Sequence, residues 1–191
     1  CGKAIAHFSP PTEKAQEILG RMRDNDAERM RAMAANLSAH FYANGIDITL
    51  SAKDIIQGIV DRHASDPEHV TLQERHLAQA FQERLFELVP PEGRTDKLET
   101  VYGAPPEADI SDPVAVQNEI RSCLMKAGKP CFAPETFIGI SDARQLILEL
   151  GGIPCYPTVA DGSKPLCPWE TPVDDFIGRL QENGFAMAEF I

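Results

Sequence analysis

No apolar run in this 191-residue chain approaches the roughly 20 residues that are needed to span a bilayer. Basic residues are also scarce, because 18 Lys and Arg stand against 29 Asp and Glu, for a net charge of −11. A surface of that sign repels nucleic acid and anionic membranes. We therefore expect no membrane partner and no extensive nucleic-acid surface. A phosphate-bearing ligand would need a local cluster of cationic side chains.

The motifs of several common enzyme classes are absent too. The chain contains no G-x-S-x-G, no G-x-G-x-x-G and no G-x-x-x-x-G-K-[ST]. Its five histidines form no H-x-H or H-E-x-x-H pair, which are the usual spacings of paired metal-binding histidines. The sequence therefore indicates no serine-hydrolase elbow, no dinucleotide fingerprint and no P-loop.

The cysteines are few and contain no C-x-x-C pair. An odd number without such a pair is atypical of a disulfide scaffold or a zinc cluster. We interpret the five as reduced and mostly buried thiols, which predicts a cytoplasmic protein. A lipid-modified Cys1 is the less favoured alternative, because residues 2–8 have the pattern of a strand. The five are Cys1, Cys123, Cys131, Cys155 and Cys167.

What is present is the composition of a globular domain, with 43% hydrophobic and 25% charged residues. Apolar side chains at helical spacing dominate the first two thirds of the chain. Residues 46–50 alternate in polarity and are either a strand or an extended link, and residues 90–113 predict a long loop with one short helix. The predicted helices are 12–44 after the cap Thr12, 52–63 after the cap Ser51, 73–88 and 113–127.

The last third of the chain alternates between helix and strand. A helix from 141 is followed by a strand at 153–158, a helix at 173–183 and a strand at 185–191. This alternation predicts a parallel sheet with right-handed crossovers. Prolines 154 and 157 favour a strand end or a barrel edge over a central antiparallel strand for residues 153–158.

Two places offer candidate binding chemistry. Arg75 and His76 lie at a predicted helix N-terminus, where a cation, an imidazole and free N–H groups can receive a phosphate oxygen. An ion pair of Arg75 with Glu74 is the simpler interpretation. In the loop after the strand at 153–158, Asp161 can bind a metal and Lys164 an anion, although Asp-Gly-Ser-Lys is also typical of an ordinary turn.

Four segments of the chain resemble segments of one protein family, and they occur in the same order as in that family. Residues 128–135 (GKPCFAPE) and 142–157 (DARQLILELGGIPCYP) resemble the "GKPAYVP" and "GGIPVLAHP" segments of the PHP (polymerase and histidinol phosphatase) family. Residues 71–80 resemble its "TERHIAKAL" segment, and residues 24–50 resemble its "R…R…LN..GIDI" helix and turn. Each motif is degenerate alone, and together they cover most of the chain.

The resemblance implies a helix-rich α/β fold that is part of a distorted β/α barrel with a helical insertion. It assigns residues 1–128 to the first strand and the insertion, and residues 129–191 to the βα units of one continuous domain. It also implies a phosphoesterase that uses up to three divalent metal ions (Mn, Zn, Mg or Fe) to activate water. The family's H-x-H would precede Cys1 and its D-x-H would follow Ile191, so we expect a fragment that is inactive alone.

The resemblance carries few site residues into this chain. Arg75 and His76 match the family's Arg/His segment, and with Asp161 and Lys164 they form the predicted contacts to a small phosphorylated molecule or nucleotide. Tyr156 stands where the family has a histidine ligand, and a neutral phenol is a poor metal ligand. No metal ligand in this chain is therefore assigned. The alternative hypothesis is a non-catalytic helical binding or scaffolding module that has lost its metal site.

Overall fold

The computed structural model describes residues 1–158 and 168–190. They form a helix-rich α/β structure, which confirms the predicted fold class at that level. None of the helices in these residues has the combination of length and apolar character needed to cross a membrane. The described elements, in chain order, are β1 (Gly2–Lys3), α1 (Glu13–Ala43), α2 (Ala52–His63), α3 (Glu74–Leu88), α4 (Arg94–Tyr102), α5 (Pro113–Ile120), α6 (Ile140–Glu149), β2 (Ile153–Thr158), α7 (Val173–Glu182) and β3 (Met187–Phe190).

The chain divides into two compact units. The sheet unit comprises Cys1–Asp24 and Phe137–Ile191, and the helical unit comprises Asn25–Thr136. Helix α1 contributes its first residues to the sheet unit and the remainder to the helical unit. Each unit has a hydrophobic core of its own.

The helical unit follows the periodicity of its sequence closely. Helix α2 begins at the predicted cap, where Ser51 and Asp54 form a reciprocal capping box. In the core of the unit, Phe41 of α1 and Phe81 of α3 are both fully buried, and their ring centroids lie 5.3 Å apart. Residues 46–50 form the extended link and no strand.

The predicted helix over 113–127 is divided in the structure. Asp112 caps α5 by accepting hydrogen bonds from the N–H groups of Val114 and Ala115. Helix α5 ends at Ile120, and Arg121–Met125 form one turn of π-helix. Turns of this type are rare and frequently occur at functional sites.

The sheet unit contains a three-stranded sheet in the order β1-β2-β3. Strand β1 is antiparallel to β2, whereas β2 and β3 are parallel and joined through α7. The predicted helix–strand alternation and the parallel pairing are therefore confirmed. The strand predicted over 2–8 is too long, because Ala4 has a left-handed φ of 51° that ends β1 at Lys3.

The edge alternative for the strand at 153–158 is wrong, because β2 is the middle strand of the described sheet. The pairing with β1 explains how a proline is tolerated there. Cys1 and Cys155 exchange both backbone hydrogen bonds, so the neighbouring pair of Gly2 and Pro154 is a non-hydrogen-bonded pair. The N–H group that Pro154 lacks is therefore not needed in that pairing.

Candidate functional site

Several charged side chains of the helical unit lie close together around the first residue of α3. Glu74 occupies that position. Arg29 reaches it from α1, Arg121 reaches it from the π-helical turn, and Lys126 follows that turn directly. Two segments that are far apart in sequence thus bring three cations to one carboxylate.

The distances define an ion-pair network with Glu74 at its centre. Arg29 Nη2 lies 2.7 Å from Glu74 Oε1, and Lys126 Nζ lies 2.6 Å from Glu74 Oε2. Arg121 Nη2 lies 3.8 Å from Glu74 Oε2. Burial of the Glu74 carboxyl raises its pKa, but the hydrogen bonds from Lys126 and Arg29 outweigh burial and hold the pKa below its usual range.

Arg29 is the most restrained cation of this network. Its side chain is 10% exposed, and its Nε donates a hydrogen bond to the carbonyl oxygen of Ala133 at 3.1 Å. Its guanidinium also lies 3.5 Å from Glu135 Oε1. Arg29 is therefore held in place by partners on several segments of the helical unit.

Beside the network lies a polar cavity of about 410 Å³, which we name the arginine cavity. The cavity is lined by Asp26, Arg29, Met30, Leu72, Gln73, Glu74, Arg75 and Arg121. Three arginines thus line one space in a protein whose net charge is −11.

The ion-pair network at this cavity is not fully satisfied in the part of the chain that the structure describes, because Arg121 keeps an unused hydrogen-bond donor. Its Nε atom is buried and has no hydrogen-bond partner within residues 1–158 and 168–190. Its Nη2 reaches Glu74 at 3.8 Å, which is too long for a hydrogen bond. A buried N–H donor without a partner costs about 1–3 kcal/mol, so an acceptor that reaches it would be bound favourably.

The two residues predicted to contact phosphate at this helix have different environments. Arg75 lines the arginine cavity, and its guanidinium donates to Gln73 Oε1, with an Nε distance of 2.7 Å. The simpler interpretation, an ion pair of Arg75 with Glu74, does not appear among the described residues, where Glu74 pairs with Arg29, Lys126 and Arg121.

His76 has a structural role at the start of α3. Its Nδ1 accepts a hydrogen bond of 3.1 Å from the backbone N–H of Gln73, which requires that nitrogen to be unprotonated. Burial lowers the pKa of His76, and the positive charges of Arg75 and His63 lower it further. His76 is not one of the residues that line the arginine cavity.

The remaining residues singled out in the sequence are Asp161, Lys164 and Tyr156. Asp161 and Lys164 lie outside the described residues, and the structure gives no account of them. Tyr156 lies in β2, where its ring stacks on Trp169 at 5.0 Å and meets the edges of Phe176 and Phe185. Tyr156 therefore belongs to an aromatic cluster of the sheet unit.

A second group of polar side chains lies in the sheet unit, and we name it the thiol cluster. It consists of Cys1, Cys155 and Glu189, whose ligand atoms all lie within 4.8 Å of one another. These are the described residues that can hold a metal ion, and they differ from the histidine and aspartate ligands that the PHP resemblance implies. The donor set present therefore does not fit the family's metal centre.

Most residues of the ion-pair network and of the thiol cluster were not predicted from the sequence. Arg29, Arg121 and Lys126 belong to ordinary amphipathic segments, and nothing in their spacing indicates that they meet at Glu74. Cys1 and Cys155 are 154 positions apart and form no recognisable spacing motif. The nearest sequence clue was the Arg75 and His76 pair, which identified the correct helix terminus and one of its cavity residues.

Comparison with family models, curated proteins and solved structures adds nothing to this geometry. No family model, no curated protein and no solved structure matches the chain.

Proposed function

We propose that the arginine cavity binds the phosphate group of a small phosphorylated molecule or nucleotide. The observation that carries this proposal is the buried Nε of Arg121, which has no hydrogen-bond partner among the described residues and belongs to a cavity lined by three arginines. Arginine's planar fork matches the oxygens of a phosphate group better than the point charge of lysine does. The proposal deepens the predicted role of Arg75 and adds Arg29 and Arg121 to it.

The position of the cavity at the start of α3 supports an anionic ligand. The first N–H groups of a helix have no partner within the helix and carry a partial positive charge. Gln73 and Glu74, at this start, both line the cavity. Guanidinium groups and a helix N-terminus together form a suitable environment for a phosphate group.

The acidic residues of the cavity limit how strongly it attracts an anion. Asp26 and Glu74 line it together with Arg29, Arg75 and Arg121, so the cationic side chains exceed the acidic ones by one. Lys126 adds a further positive charge through Glu74. We infer that Glu74 holds Arg29 and Lys126 in position while it reduces the charge available to a ligand.

We further propose, from the sequence resemblance, that the chain is the middle portion of a PHP-type phosphoesterase with a distorted β/α barrel. In that family, bound metal ions activate the water that attacks the phosphate ester. The described donor set does not fit that metal centre, so the proposal for these residues does not include the hydrolytic step. The role assigned to the present residues is to bind the ester.

Calorimetric titration of the chain with inorganic phosphate and with a nucleoside monophosphate tests the binding proposal. We expect saturable binding of both, weaker binding at high salt, and no binding of the uncharged nucleoside. The Arg121→Gln substitution should weaken phosphate binding by about tenfold or more, since it removes a charged donor. Arg75→Ala should also weaken it.

The matched control is Arg84→Gln. Arg84 is an exposed arginine on α3, the helix that also carries Arg75, and it pairs with Glu87 instead of lining the cavity. Arg84→Gln should leave phosphate affinity unchanged. Equal phosphate affinity in the wild-type and Arg121→Gln chains would contradict the proposal. A complete lack of phosphate binding would favour the alternative of a non-catalytic helical binding or scaffolding module.

A further inference from the structure

We propose that the thiol cluster binds a thiophilic divalent cation such as Zn²⁺ through Cys1 Sγ, Cys155 Sγ and one carboxylate oxygen of Glu189. This site is separate from the proposed function, because all three residues belong to the sheet unit. No spacing motif indicates this site, since the cysteines form no C-x-x-C pair.

The sheet register places the three side chains on one face. Cys1 and Cys155 lie directly opposite each other, because Gly2 pairs with Pro154 and the two cysteines exchange both backbone hydrogen bonds. On the other side of β2, Cys155 pairs with Met187 of β3, and Glu189 follows two residues later. Since side chains two apart on a strand share a face, Glu189 projects from the same face as Cys155.

The atoms of the cluster are already close to the separations that a metal requires. The three ligand atoms lie within 4.8 Å of one another, and Cys1 Sγ donates a hydrogen bond of 2.9 Å to Glu189 Oε1. Typical zinc–sulfur and zinc–oxygen bonds in a tetrahedral site place a sulfur and an oxygen ligand about 3.5 Å apart. When a metal takes the place of the thiol proton, Cys1 Sγ and Glu189 Oε1 therefore need to move only slightly apart.

The remaining oxygen of Glu189 is held by a second interaction. Lys3 Nζ lies 2.6 Å from Glu189 Oε2, which leaves Oε1 as the ligand and gives the carboxylate a fixed orientation. Outer partners of this kind orient the ligands of metal sites. Two thiolates and one carboxylate carry three negative charges, and a divalent cation with Lys3 supplies three positive charges, so the loaded cluster is neutral when the amino group of Cys1 is acetylated.

The donor set selects the class of metal. Thiolates favour Zn²⁺ and other soft or borderline cations over Mg²⁺, which prefers oxygen ligands. Three protein ligands leave the fourth position of a tetrahedral site for water or another small ligand. On binding, the two thiols lose their protons to solvent as the two metal–sulfur bonds form, so the affinity rises with pH.

Titration of the reduced chain with Co²⁺ tests this site directly, because cobalt bound by thiolates has a charge-transfer absorption that counts them. The measurement uses a Cys167→Ser background with an acetylated N-terminus, so that neither that thiol nor a free amine contributes. We expect one Co²⁺ per chain with the absorption of two thiolates, and displacement of the cobalt by Zn²⁺. Mg²⁺ in excess should not displace it.

Three substitutions separate the ligands from the rest of the chain. Cys1→Ser should halve the charge-transfer absorption, and this residue is exposed, so its replacement does not disturb the core. Glu189→Gln should preserve two-thiolate absorption but weaken cobalt binding by about tenfold or more, and Lys3→Gln should weaken it by about tenfold. The matched control is Cys123→Ser in the helical unit, which should change nothing.

Two results would overturn the proposal. One is the absence of saturable cobalt binding by the reduced chain. The other is cobalt absorption that persists unchanged in the Cys1→Ser chain or disappears in the Cys123→Ser chain. The Arg121→Gln substitution should leave cobalt binding intact, so failure of the anion site and failure of the metal site are distinguishable.

Discussion

Arg29 donates a hydrogen bond of 2.7 Å to Glu74, and both side chains are largely buried, with exposures of 10% and 15%. The two residues are 45 positions apart and belong to α1 and α3. This pair connects two helices of the helical unit at one edge of the arginine cavity. Most of the predictions below depend on it.

The Arg29→Lys substitution should destabilise the protein. The guanidinium donates to both Glu74 and the carbonyl oxygen of Ala133, and an ammonium group on a different stem cannot reproduce that geometry. We expect the free energy of unfolding to fall by about 1–3 kcal/mol, measured by urea denaturation. The control is Arg31→Lys, because Arg31 is exposed and pairs only locally with Glu28 among the described residues. A loss equal to that of the control would contradict the buried pair.

The Glu74→Gln substitution should have opposite effects on stability and on ligand binding. Removing the carboxylate leaves Arg29 and Lys126 without their charged partner, so unfolding should require about 1–3 kcal/mol less. The same change removes a negative charge from the cavity, so phosphate should bind several-fold more tightly. Glu87→Gln on the exposed face of α3 is the control for both measurements. Weaker phosphate binding in Glu74→Gln would show that Glu74 does not compete with the ligand.

The contribution of Glu74 to stability should depend on pH. Its pKa is held below the usual value of 4.5 in the folded protein, so the unfolded chain takes up the proton first as the pH falls. The stabilisation is complete above pH 4.5 and is lost as the pH falls through the folded pKa. Denaturation curves of the wild-type and Glu74→Gln chains should therefore converge on acidification. Curves that stay equally far apart would contradict this titration.

His76 should give a second pH dependence, at less acidic pH. Its pKa lies below the usual 6.5, mainly because of burial, so the unfolded chain protonates before the folded one. This contribution is complete above pH 6.5 and declines as the pH falls from there to the folded pKa. The His76→Gln variant keeps an acceptor for the Gln73 N–H group and should lack this decline. A stability difference between the two chains that does not vary across this pH range would contradict the prediction.

The 191-residue chain should not hydrolyse phosphate esters in the presence of divalent metals. The chain contains no H-x-H pair, and the thiol cluster has a different donor set from the one that the PHP resemblance implies. An assay with p-nitrophenyl phosphate and added Mn²⁺, Zn²⁺ or Mg²⁺ should give the same rate as the metals alone. Metal-dependent turnover that is lost in the His76→Ala chain would overturn this prediction.

The sequence predicted the helices well because helical structure depends on neighbours three and four residues apart. Ser51 and Asp54, for example, both cap α2 through contacts within a single turn. It predicted β1 less well, since nothing local indicates the left-handed φ of Ala4 that ends the strand. It also offered an edge position for β2. Pro154 is tolerated in the middle strand because of the residue of β1 that lies opposite it, and this pairing cannot be deduced from the local sequence.

The candidate sites divide in the same way. The acidic charge, the periodicity of the helices and the position of Arg75 at a helix N-terminus follow from the amino-acid sequence alone, because they depend on composition or local spacing. That Arg29 and Arg121 line the same cavity, and that Cys1 lies opposite Cys155, follows only from the three-dimensional fold. These contacts depend on the packing of helices and the register of strands, and such pairings are fixed by the burial of whole faces rather than by any short motif.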